Sequence, residues 1–226
     1  MAYWYLIHGA ASTRLTWTRQ LQVLPLVERA SLPPLDAVEP PFLIDAWADY
    51  CLSQLTQPSV IMGHSLGGAI AQIMALKDPT MVLGLVLVGT APRLPVNPDL
   101  IEALRKHPDT ALQNIARWSL APDAPSELLQ RSLHQVASVD THRALREFLA
   151  CTYFDVRDKL HQITCHRAVI AGERDRMTPL TLVSEFREAW PDVPLYTIPN
   201  AGHMMMLEQP EAFNQILGEL VERFNW

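Results

Sequence analysis

Three consecutive apolar residues, Val60-Ile61-Met62, run directly into Gly63-His64-Ser65-Leu66-Gly67-Gly68, and an apolar stretch rich in Ala, Ile, Leu and Met continues to Lys77. A short β-branched run feeding such a stretch predicts a strand that turns straight into a helix, with Ser65 at the corner. A turn that sharp needs small neighbours, which Gly63 and Gly67 supply, while Gly68 lets the helix pack closely. The serine then sits at a helix N-terminus, where partial positive charge favours a developing oxyanion. A phosphate-binding loop is the competing reading of a glycine-rich corner. The stretch has neither the lysine of a P-loop nor the G-x-G-x-x-G spacing.

The rest of the chain fits that corner. Residues 3–7, 83–88, 167–171 and 195–198 are further short apolar runs that end near Gly, Pro, Asn or Thr, as strands feeding loops do. Helical patterns occupy 42–55, 66–77, 180–190 and 210–224. This alternation predicts an α/β fold with a doubly wound, mostly parallel sheet, whose functional groups lie on loops at the carboxyl ends of strands. From Pro92 to Cys165 only helical patterns appear, punctuated by five prolines between positions 95 and 125. The expected organisation is a core of 1–91 and 166–226, with a helical lid of 92–165 over the strand ends.

A serine nucleophile needs a base, and the order Ser, acid, His asks for a histidine late in the chain. His203 ends Asn200-Ala201-Gly202-His203, just past the last strand and before the last helix. After the preceding strand, Gly172-Glu173-Arg174-Asp175 offers two acids, Glu173 and Asp175. One oxyanion donor is expected from the backbone amide of Leu66. A second belongs in the loop after the first strand, His8-Gly9-Ala10-Ala11-Ser12.

Taken together, H-G after the opening strand, G-H-S-L-G-G, A-G-E-R-D and A-G-H resemble the α/β-hydrolase superfamily across nearly the whole chain. The resemblance is to serine carboxylesterase-like members with a helical lid. It implies Asp175, rather than Glu173, as the partner that orients His203. It also implies Ala10 as the second oxyanion donor, and a bracing rather than catalytic role for His8. Two departures stand out. The chain opens on what resembles the family's third strand, so the usual first hairpin is missing. Ser31-Leu32-Pro33-Pro34-Leu35-Asp36 replaces the family's D-x-P-G-x-G, which makes 25–41 an irregular segment with a short or irregular strand.

The reaction this implies is hydrolysis of a small or medium carboxylic ester through an acyl-enzyme on Ser65, with no metal or organic cofactor. Small hydrolases of the same resemblance act on enol-lactones, on carbon–carbon bonds of β-diketones or on methyl esters of pimeloyl carriers. The Gly-Glu-Arg-Asp segment also resembles a pyruvate-eliminating synthase of menaquinone synthesis, which wants several arginines in its pocket; Arg174 and Arg176 look poorly placed for that. A non-catalytic ligand receptor is a further alternative, although the triad reads as intact. Candidate pocket residues are Leu66, Trp118, Phe154, Met177 and Met204, with Met205 and Met206 beside the last.

A formal charge of −6 argues against nucleic acid as a partner and gives no attraction to anionic membranes. Residues 92–160 hold nine basic and nine acidic side chains, a balance that a solvated helical surface explains. The apolar start, Met1 to Ile7, lacks a basic flank and is too short for a signal peptide or membrane span. Cys51, Cys151 and Cys165 are odd in number and widely spaced, which suits reduced thiols in a soluble cytoplasmic protein.

Overall fold

A computed structural model of the protein describes every residue except Pro25. Six strands form one parallel sheet: β1 (Tyr3–Ile7), β2 (Val27–Arg29), β3 (Ser59–His64), β4 (Val82–Val88), β5 (His166–Gly172) and β6 (Leu195–Ile198). Their spatial order is β2-β1-β3-β4-β5-β6. The order reverses direction at β1, and Tyr3 to Ile7 pair with Ser59 to Gly63 in the centre of the sheet. That reversal opens a crevice beyond the carboxyl ends of β1 and β3.

Both sheet faces are buried, so the strands read as continuous apolar runs rather than as alternating ones. Tyr5, Ile7, Ile61, Leu85 and Val169 point to one face, under α1 (Pro40–Gln54) and α2 (Leu66–Lys77). Trp4, Leu6, Val60, Met62 and Ile170 point to the other, where Phe213 and Leu217 of α10 (Pro210–Phe224) cover them. Edge strand β2 is only three residues long, as the irregular segment foreshadowed.

Between β4 and β5 lie four helices: α3 (Pro98–Lys106), α4 (Pro108–Trp118), α5 (Ser126–Ala137) and α6 (Thr141–Tyr153). They share a small core of their own, including Ile101, Leu112, Ile115 and Phe148, and that core reaches Ala11 of the loop after β1. The pattern at 180–190 predicted one helix, but the chain forms two single turns, α7 (Leu180–Val183) and α8 (Phe186–Ala189). Ser184 Oγ donates to the Thr181 carbonyl at 2.8 Å, a local bond that competes with helix propagation. The short helix α9 (Met205–Glu208) precedes α10.

Candidate active site

Ser65 stands between the end of β3 and the start of α2 at φ 54°, ψ −118°, a backbone conformation rare for any residue with a Cβ. The turn holds because its neighbours have no side chains. A Cβ on Gly63 would lie 2.2 Å from the Gly67 carbonyl oxygen, and one on Gly67 would lie 2.3 Å from that of Ile7. Two bonds tie the corner to the end of β4 and to the loop beyond it. Ser65 N–H donates to Val88 O at 2.9 Å, and Thr90 Oγ1 donates to Ser65 O at 2.9 Å.

His203 leaves the loop after β6 almost wholly buried, and its Nδ1 lies 2.7 Å from Asp175 Oδ2. The other carboxylate oxygen accepts the N–H groups of Met177 at 2.8 Å and Thr178 at 2.9 Å. Thr178 Oγ1 donates to Oδ2 at 2.7 Å. Burial alone pushes the Asp175 carboxyl up. The charge of His203 and the bonds from His203 and Thr178 outweigh burial and hold it below the usual carboxylate range. Glu173 is elsewhere: its Oε2 accepts Asn200 N–H at 2.9 Å. The structure therefore brings Asp175, and not Glu173, to the imidazole.

Two further histidines are buried close by. His64 Nε2 donates to the His203 carbonyl at 3.0 Å, and burial drives its pKa well below the ordinary value. His8 Nδ1 donates to Gly9 O at 2.9 Å, and burial lowers its pKa to about 4. Both are neutral at pH 7. The loop His8 opens lies hard against the elbow, since a Cβ on Gly9 would sit 2.8 Å from His64 Nδ1 and 3.1 Å from Ser65 Cβ.

A cavity of about 520 Å³ reaches Ser65 from beneath α3, α4 and α6, with mostly apolar walls that include Ala10, Val96, Leu100, Phe148 and Met177. Trp118, 43 % exposed, stands on its wall. A smaller recess between the loops holds Ala10, Ser65, His203, Met177 and Met204 together. Several sequence expectations need correction. Phe154 is not on the cavity: it caps the end of α6 and is buried in the main core, while Phe148, earlier on the same helix, faces the cavity. The side chains of Leu66, Met205 and Met206 are likewise core residues with no exposed surface. Arg176 does line the cavity, although its Nη2 is occupied by the carbonyls of Arg117 and Leu120.

Sequence reasoning missed three polar residues that fix the site. Thr178 braces Asp175. Glu147 of α6 accepts Ala11 N–H at 2.7 Å. Glu208 accepts Gly202 N–H at 2.9 Å with one oxygen and Ala121 N–H at 2.7 Å with the other. Beside it, Met204 N–H donates to Ser119 O at 3.0 Å. The D-x-x-T spacing of Asp175 and Thr178 is the one local signal that was available for these contacts. Among the described residues, no three His, Cys, Asp or Glu side chains are grouped to hold a metal ion. Among those residues, no helix is long and apolar enough to cross a membrane.

This elbow, in a parallel sheet with the His203 loop after the last strand, defines the class: the chain belongs to the alpha/beta hydrolase family, whose model matches residues 5–216. Among curated proteins it is similar to the pimeloyl-[acyl-carrier protein] methyl ester esterase of Chromobacterium violaceum, 30 % identical over 96 % of this chain and 91 % of that protein. The protein of the same name from Neisseria meningitidis serogroup A is 29 % identical over 96 % of this chain and 76 % of its own length. Among solved structures, a thermophilic esterase superposes with a TM-score of 0.84 at 28 % identity, covering 99 % of this chain and 91 % of that one. The enol-lactonase of Burkholderia xenovorans LB400 superposes at 0.86 with 17 % identity, over 98 % and 92 % of the two chains, and shares the fold. In the general sense these relatives share, the chain is an ester hydrolase.

Proposed function

We propose that the protein cleaves a carboxylic ester through an acyl-enzyme on Ser65, with His203 as base and Asp175 as its orienting acid. The observation that carries this reading is the recess that Ser65 and His203 both line, with Asp175 held at Nδ1 of the same imidazole. The Asp175 bond fixes the Nδ1–H tautomer and leaves Nε2 to accept the serine proton. Ser65 Oγ then attacks the ester carbonyl. The developing oxyanion is met by the amides of Ala10 and Leu66, neither of which donates to a protein acceptor among the described residues. His203 protonates the leaving alcohol, then activates the water that releases the acid.

For the substrate, the reading goes further to a methyl ester of a medium-length acyl chain borne on a carrier. Apolar walls suit methylene groups, and the name shared by relatives at 28–30 % identity supplies the ester and the carrier. Pyruvate elimination is the weaker reading, because the cavity wall offers a single arginine whose Nη2 is already engaged. Residues 92–165 act as the lid that selects the acyl chain. Buried, unpaired Cys51 and Cys151 suit a cytoplasmic enzyme.

The test pairs wild type with Ser65→Ala on p-nitrophenyl butyrate and on methyl esters of dicarboxylic acids of increasing length. Loss of about 10³-fold or more in kcat for Ser65→Ala, with fluorophosphonate labelling confined to Ser65, is expected. Equal turnover by both proteins would sink the mechanism. Methyl ester turnover with no dependence on chain length would sink the substrate assignment alone.

A further inference from the structure

The loop after β1 holds a conformation its own sequence does not favour. Ala11 adopts φ 50°, in the left-handed region where a Cβ crowds the following carbonyl. Its N–H donates to Glu147 Oε2 at 2.7 Å, across 136 positions of chain. That carboxylate is sealed from solvent at 1 % exposure, and its second oxygen accepts from Arg143 Nε, one turn earlier on α6, also at 2.7 Å. Burial pushes the Glu147 carboxyl up, opposed by the charge of Arg143 and the bonds from Ala11 N–H and Arg143. The residue before Ala11 is Ala10, which shares both the cavity and the recess with Ser65. Gly9, one further back, abuts Ser65 itself.

We propose that Glu147 is a positioning residue: by gripping Ala11 N–H from the helical segment, it holds the Ala10 amide aimed at the oxyanion. The proposal rests on the reading of Ser65 as nucleophile. Glu147 touches no reacting atom and acts only through Ala11. Substrate therefore binds equally well without it, while the tetrahedral state is held less well.

The experiment compares wild type, E147Q, E147A, A11G and the E147A/A11G double variant on p-nitrophenyl butyrate. Thermal midpoints and hydrogen exchange at the Ala11 amide are measured alongside. E147A is expected to lower kcat at least about tenfold with KM within about twofold. E147Q keeps an acceptor for Ala11 but loses the charge opposite Arg143. Its midpoint falls while kcat stays within about threefold. On the A11G background the kcat loss from E147A shrinks at least about fivefold, because glycine takes a positive φ unaided. Equal losses on both backgrounds, or a kcat that simply tracks the midpoint, overturn the proposal.

If E147A does not fold, E147D takes its place. It keeps the charge and withdraws the acceptor by one methylene, so its kcat is expected below that of E147Q, and the reverse order overturns the proposal. If wild type hydrolyses no ester, the hydrolase reading falls, and Ala11 exchange decides by itself. Faster exchange in E147A but not in E147Q supports the grip, and unchanged exchange in E147A overturns it.

Discussion

Asp175 Oδ2 lies 2.7 Å from His203 Nδ1, and Thr178 Oγ1 touches both, at 2.7 Å from the carboxylate and 3.3 Å from the imidazole. The hydroxyl and the amides of residues 177 and 178 occupy the acceptor sites that the histidine leaves open. Asp175→Asn, which presents the wrong group to Nδ1, is expected to lower kcat about 10³–10⁴-fold. Thr178→Val removes one of several donors and is expected to cost about tenfold or less. Steady-state kinetics on one ester checks the order, and a threonine effect as large as the aspartate effect would contradict it.

Trp118 and Phe154 are predicted to part company. Trp118→Ala opens the cavity wall and is expected to change KM across an acyl-length series. Phe154→Ala leaves a hole in the main core and is expected to cost about 3–5 kcal/mol in urea unfolding, with chain-length preference kept. A shift of that preference in Phe154→Ala would place its ring on the cavity after all.

Acid stability is predicted to depend on His8. Burial, aided by the charge of Arg143 and opposed by the bond to Gly9 O, lowers its pKa to about 4 in the folded chain. Unfolded, it takes up a proton near the ordinary value of about 6.5. Between those two pH values the unfolded chain binds the extra proton, so stability falls as pH drops through the window and returns as pH rises. Across the whole window the contribution is on the order of 3 kcal/mol. His8→Gln is expected to lose less stability than wild type between pH 7 and pH 5, as urea titrations at both would show.

At Gly67, a methyl group meets main chain rather than a flexible side chain, 2.3 Å from Ile7 O. Gly67→Ala is expected to destabilise by about 3 kcal/mol or more, with β1 and the elbow forced apart. An unchanged thermal midpoint would show that the turn can widen.

How much of the molecule is legible in its sequence depends on the range of the interactions. The elbow is a local event, and glycine spacing with the flanking apolar runs suffices to locate it. The all-helical character of the segment between β4 and β5 emerges from its prolines and periodicity. Phe154 was misplaced because α6 stops at Tyr153, so the next residue turns with the chain and not with the helix face. Glu147 carries no signature, because its partner is an amide 136 residues earlier and any glutamate on an exposed helix reads the same. Asp175 and Glu173 were separable only by family resemblance. Spacing alone cannot tell which carboxylate the strand end aims at the imidazole.

Glu208 bears on how such chains diversify. Its carboxylate holds an amide of the segment after α4 with one oxygen and an amide of the loop before His203 with the other. A foreign helical segment grafted between β4 and β5 must therefore offer an N–H where Ala121 stands, or the histidine loses a support from below. Residues 119–121 and 202–208 are thus tied to each other through Glu208 and the Met204 amide, so replacements in α3 and α5 are expected to disturb the histidine less than replacements at the end of α4.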